Sequence, residues 1–193
     1  MTTQLARWST SKLVQLGIVP QDKKSLTQYG LELLLTSLEG VALLISVSIL
    51  SGHPWLWIPF LIGFAPLRTN AGGYHARSRR SCLIISTILY SICLLLAVTW
   101  HPHNAFPIAA AILSLIIVIL LAPVEAPNKQ LSPKLKRRNQ RRSYFIVSLE
   151  FVFSIVVFIF HISFSAINIF YLGILAASIS LIAAKIIHNG RRK

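Results

Sequence analysis

The chain has 193 residues, of which 54% are hydrophobic and only 12% charged, about half the share found in soluble domains. So few charges cannot cover a soluble fold, and the apolar residues gather into long runs, so the implied solvent is lipid. The 19 Lys and Arg against 5 Asp and Glu give a net charge of +14. With no nucleic-acid motif or aromatic-interleaved basic surface, that balance fits basic cytoplasmic loops and excludes a nucleic-acid partner.

The first 30 residues are polar and mixed and lack the apolar run of a cleavable signal peptide. Within them Leu5, Trp8, Leu13, Leu16 and Ile18 recur at roughly helical spacing with Arg7 and Lys12 between. This predicts a juxtamembrane amphipathic helix lying on the membrane surface, ended by Pro20. A first span is predicted over 33–50, then a tight turn at Ser51, Gly52, His53 and Pro54. The apolar run 55–67, with Trp55 and Trp57 as interface residues, is short for a span and has a re-entrant alternative. A polar segment 68–81 precedes a third span over 82–100, and a turn at 101–104 precedes a fourth over 105–122. A long basic loop follows at 123–143, then a fifth span over 144–160 and a sixth over 166–187. The fold class is thus an all-α integral membrane protein. It is a single polytopic domain, 1–193, of about six transmembrane helices behind an amphipathic N-terminal segment.

Counting charges orients it. With the N-terminus inside and six crossings, the inside segments hold Arg7, Lys12, Lys23, Lys24, Arg68, Arg77, Arg79, Arg80, the seven basic residues from Lys129 to Arg142, and Arg191 to Lys193. Lys185 lies at the inner end of the last span, and the outer turns hold no Lys or Arg. This asymmetry places both termini in the cytoplasm. A re-entrant second segment would put four arginines outside.

The chemistry concentrates between Arg68 and Cys82, which reads RTNAGGYHARSRRSC. Gly72 and Gly73 permit backbone conformations and close chain approaches closed to other residues. Cys82 follows His75 by seven residues, at the start of the third span. A helix N-terminus and the neighbouring Arg79 and Arg80 favour the thiolate, the nucleophilic form. A nearby histidine can take the thiol proton and later protonate a leaving amine. One continuous helix from His75 to Cys82 would separate the two side chains by roughly 10 Å along its axis, so a dyad requires the chain to fold back. The alternative is a structural His and a structural Cys at a membrane interface. Asn70 is a candidate to orient His75.

Elsewhere, Glu39 and Glu150 fall within predicted spans and Glu32 near the inner edge of the first. Such carboxylates are functional candidates, with hydrogen bonding between helices as the alternative. His101 and His103 read as a solvated outer turn, and Cys93 as a packing residue. The two cysteines have no metal-ligand spacing and are too few for a disulfide scaffold.

The segment from Arg68 to Cys82, with its Gly-Gly-Tyr-His-Ala core, resembles the accessory gene regulator B family of membrane cysteine endopeptidases. A second stretch, Ala122, Pro123, Val124, Glu125, Ala126, Pro127, Asn128, Lys129, is similar to that family's AP-x-E-x-PNK segment. Gln130 departs from the family, which often has proline there, and leaves the dyad untouched. The resemblance implies cleavage of a short precursor peptide at the cytoplasmic membrane face and cyclisation of its N-terminal part into a signal, typically a thiolactone used in bacterial quorum sensing. It implies Cys82 as nucleophile and His75 as general base and acid, with Arg68, Asn70, Gly72 and Gly73 in support. Family precursors carry an acidic C-terminal portion, for which Arg77, Arg79, Arg80 and the basic loop from Lys129 to Arg142 are the binding candidates, while Glu125, Asn128 and Lys129 are further substrate-binding candidates. The other reading of these basic residues is topology and anionic lipid. The remaining expectations are a bacterial cell membrane location, membrane lipid as partner, a homodimer, and neither metal nor cofactor. A small transporter or a non-catalytic adaptor for an acidic partner would leave the Gly-Gly-Tyr-His-Ala segment unexplained.

Overall fold

A computed structural model describes residues 2–73, 78–100, 105–124, 132–162 and 164–190. Helix dominates: α1 (Thr2–Gln15), a 3-10 turn (Gln21–Lys23), α2 (Lys24–Leu50), α3 (Trp57–Ala71), α4 (Arg79–Thr99), α5 (Phe106–Leu121), α6 (Pro133–Ile159) and α7 (Ser165–Gly190). Among the described residues there is no strand, only an isolated parallel bridge between Gly72 and Val124. The chain divides into two units, Met1–Val47 and Ser48–Lys193.

Local chemistry moves several boundaries from their sequence-based positions. Gly17, not Pro20, ends α1. Its positive φ of 70° lets the Gly17 N–H donate to the Val14 carbonyl at 3.0 Å and the Ile18 N–H to the Leu13 carbonyl at 3.1 Å, the paired bonds of a Schellman motif. On α1 the Lys12 ammonium lies 4.2 Å from the Trp8 ring centroid. α2 starts at Lys24 rather than at residue 33, because its polar first turns contain no proline. In those turns Gln28 donates to Glu32 Oε1 at 3.0 Å, one helical turn on, while Glu39 is exposed.

Two further corrections concern the polar segments. Arg68, Thr69 and Asn70 are the last turn of α3 rather than part of a loop. The basic stretch expected as a loop over 123–143 is helical from Pro133 onward. Ser132 accepts a hydrogen bond from the Leu135 N–H at 3.4 Å, and Pro133 occupies the first helical position, where its missing N–H costs nothing. Lys134 to Arg142 therefore lie on the same helix as the apolar run that follows.

Among the described residues four helical stretches are long and apolar enough to cross a membrane: Gln21–Leu50, Arg80–Thr99, Pro133–Ile159 and Ser165–Ile187; α5 is a shorter apolar helix. In the second unit the polarity is that of a protein in lipid. Ile84, Ile88, Ile92 and Leu95 of α4 are exposed, whereas Ser48, Ser114, Ser143, Ser154 and Ser178 are buried. Apolar side chains outward and hydroxyls inward is unfavourable in water and natural in a bilayer.

α7 is the central helix of this unit, packed against α3, α4 and α5, while α6 packs on α3 and α5. Two glycines set the α3–α7 spacing. A Cβ on Gly63 would stand 2.5 Å from the Phe170 carbonyl oxygen, and one on Gly173 2.9 Å from that of Phe60. Polar ties cross the other contacts. Cys93 Sγ lies 3.9 Å from the Leu172 carbonyl, the Tyr144 hydroxyl donates to the Ile119 carbonyl at 3.3 Å, and the Ser48 and Tyr90 hydroxyls are hydrogen-bonded.

Gly63→Ala is therefore expected to destabilise the protein by about 1–3 kcal/mol through overpacking, read as thermal unfolding in detergent. Gly30→Ala, with nothing within 4 Å, is the control. It should be neutral or stabilising by roughly 0.5–1 kcal/mol.

Candidate active site

The site is assembled where α3 ends and α4 begins. α3 stops at Gly72, whose φ is 89° and ψ −153°, outside the range open to other residues. Val124 lies against it, its N–H donating to the Ala71 carbonyl at 2.9 Å. A Cβ on Gly72 would stand 2.3 Å from the Val124 carbonyl oxygen. Gly73 has φ 142°, and a Cβ there would stand 2.2 Å from Arg68 Nη1 and 2.5 Å from Ser180 Oγ. Gly72 is thus required by backbone contact as well as by conformation, and Gly73 by its conformation.

α4 begins with a serine cap. Ser78 is extended, and its Oγ accepts from the Ser81 N–H at 3.1 Å. The Cys82 N–H donates to the Ser78 carbonyl at 3.1 Å, the first bond of the helix ladder. Cys82 thus occupies the first turn, where the positive end of the helix dipole favours an anion. Its half-buried side chain lines a small cavity of about 40 Å³ together with Phe64 and Arg68 of α3, Ser86 of α4 and Ser180 of α7. This is room for about one water. A nucleophile-bearing helix start with a guanidinium on the same cavity can support attack on a carbonyl.

The structure thus brings together Arg68, Gly72, Gly73 and Cys82. Asn70 turns its amide back to the Pro66 carbonyl at 2.8 Å. Arg80 is exposed on the first turn of α4, and Arg79 is that helix's first residue. His75, Arg77, Glu125, Asn128 and Lys129 lie outside the described residues. The bridge pairs Gly72 with Val124, each close in sequence to one of those stretches. Cys93, the second thiol, is buried against α7. Among the described residues no group of three or more His, Cys, Asp or Glu is placed to hold a metal.

Sequence reasoning missed Val124, Phe64 and Ser180. Ser180 is one of many serines in the late helices and carries no local signal. Val124 sits inside a motif already noted, but nothing in either motif says that their backbones pair.

The family model for Accessory gene regulator B matches residues 4–181. Relatives named Accessory gene regulator protein B from Staphylococcus aureus, strains bovine RF122 / ET3-1 and JH9, are each 26% identical over 121 residues. The match covers 63% of this chain and 62% of each relative, so it spans less than two thirds of those proteins' length. No solved structure matches.

Iodoacetamide should alkylate Cys82 in the intact protein and leave Cys93 untouched, as peptide mapping would show. Arg68→Gln should slow the Cys82 reaction several-fold by removing the cation beside the thiolate. An unchanged rate would mean that Arg68 does not serve the thiol.

Proposed function

The chain belongs to the accessory gene regulator B family, and from that premise we propose that it is a membrane-embedded cysteine endopeptidase of a bacterial quorum-sensing system. It cleaves a short precursor peptide at the cytoplasmic face and promotes its cyclisation. The observation that carries this reading is the placement of Cys82, in the first turn of α4 and on one cavity with Arg68.

In this reading α2 to α7 are six crossings with both termini inside. The support is electrostatic. The C-terminal turn of α3 with Arg68, the first turn of α4 with Arg79 and Arg80, and the first turns of α6 with Lys134 to Arg142 then all share the cytoplasmic face. α3 has 15 residues, about 22 Å at 1.5 Å per residue, against a hydrocarbon core of about 30 Å. Local thinning of the bilayer accommodates such a short helix, and it would keep the thiol site near the interface.

The chemistry balances without an external energy source. His75 takes the Cys82 proton, and the thiolate attacks the scissile carbonyl. Arg68 offsets charge on the thiolate and then on the tetrahedral oxygen. The intermediate collapses by breaking the C–N bond. The imidazolium protonates the departing amine, and the N-terminal fragment remains on Cys82 as a thioester. A thiol inside that fragment then attacks the thioester carbonyl, releasing a thiolactone and regenerating the Cys82 thiol. One thioester replaces another, so the step is nearly isoenergetic provided that water is excluded. Arg77, Arg79, Arg80, Glu125, Asn128 and Lys129 would hold the precursor, the cations among them engaging its acidic C-terminal portion.

The test uses the purified protein in lipid with its candidate precursor, products being followed by mass spectrometry. Wild type should yield the C-terminal fragment and a cyclic product one water lighter than the linear fragment. Cys82→Ala should yield neither, and His75→Ala should lose about 10²–10⁴-fold in rate. Cleavage surviving Cys82→Ala contradicts the mechanism.

A further inference from the structure

α3 presents two different stripes to two cavities. Phe64 and Arg68, four apart, line the thiol cavity. Pro59, Ile62 and Pro66, at spacings of three and four, line a larger one of about 590 Å³, within the roughly 300–1,000 Å³ range of small-molecule sites. Its other walls include Glu150 and Phe153 of α6 and Phe170 of α7. Among the described residues Glu150 is the only ionisable side chain on this surface.

Glu150 does not behave as a packing residue. It is only 6% exposed, and its Oε2 has no hydrogen-bond partner among the described residues. Leaving a buried carboxyl oxygen unsatisfied costs free energy that an apolar side chain of similar size would avoid. The cavity therefore offers extensive apolar surface and, at Glu150, a hydrogen-bond acceptor in want of a donor. Within the apolar part of three helices a charged donor such as an ammonium would be costly to bring in. A hydroxyl on an alkyl chain satisfies both demands.

We propose that this cavity is a binding site for a neutral single-chain amphiphile, its alkyl chain lying against Phe153 and Phe170 and its hydroxyl donating to Glu150. The site is separate from the thiol cavity and independent of the peptidase reading. It rests only on these helices lying in lipid.

The experiment uses the full chain in phosphatidylcholine nanodiscs with a hexadecanol carrying a photoreactive diazirine in its chain. A matched hexadecane probe, without the hydroxyl, is run in parallel. Cross-links mapped by mass spectrometry should fall on the peptides containing Phe153 and Phe170. Excess 1-hexadecanol should displace them, and hexadecane should not. Glu150→Leu should weaken labelling by about tenfold, the worth of one hydrogen bond, whereas Glu150→Gln, which keeps an acceptor, should retain it. Should Glu150→Leu fail to fold, competition in the wild type and the Gln variant still decide. Labelling that does not saturate, or that is equal for alcohol and alkane, overturns the proposal and leaves a groove filled by bulk lipid. So does loss of alcohol labelling in neither variant.

Discussion

The backbone of Val124 lies against Gly72 so closely that no side chain fits between them, and the candidate site depends on this contact. It joins the end of α3 to the exit of α5, two points far apart in sequence. Because Gly72 and Gly73 have no side chains, α3 can end there with Arg68 and Ser180 packed against the turn. The chain then reaches Ser78, whose cap starts α4 and sets Cys82 in its first turn. Arg68 and Cys82 meet on one cavity because the end of one helix and the start of the next are held at a common place. A Cβ at either glycine would have to move Val124 or Arg68, and with it the surroundings of the thiol.

The packing around the site follows from its solvent. In lipid, apolar burial gives little drive for helices to associate, so close contact and hydroxyl bonds do more of the work. Gly63 and Gly173 supply the contact between α3 and α7, and the Ser48 hydroxyl bonds that of Tyr90 between α2 and α4. In that interior Glu150 Oε2, like the Ser114 and Ser178 hydroxyls, has no hydrogen-bond partner among the described residues, and a carboxyl costs more to leave so than a hydroxyl does.

Much of this was legible in the chain. Runs of apolar residues mark α2 and α4 to α7, and the asymmetry of Lys and Arg separates their two ends. The Arg68-to-Cys82 segment points to the thiol. Where the reading slipped, local capping decided. Gly17 stops α1 before Pro20 is reached, and Ser132 with Pro133 opens a helix inside what composition marks as a basic loop. Arg68 to Asn70 read as loop because they are polar, yet no breaker precedes Gly72, so α3 carries through them. The Gly72–Val124 bridge and the place of Ser180 were not legible. Backbone pairing between two irregular segments leaves no side-chain pattern, and a serine on a late helix resembles its neighbours.

The central claim is that Cys82 carries the peptide as a thioester, and one measurement addresses it directly. The purified protein in lipid would be incubated with a precursor whose internal nucleophilic residue is replaced by Ala, and its intact mass recorded. The account predicts an adduct equal to the N-terminal fragment less one water, mapped to Cys82 and removed by neutral hydroxylamine. Release of the C-terminal fragment with no adduct on Cys82, at the same rate in Cys82→Ala, would contradict it.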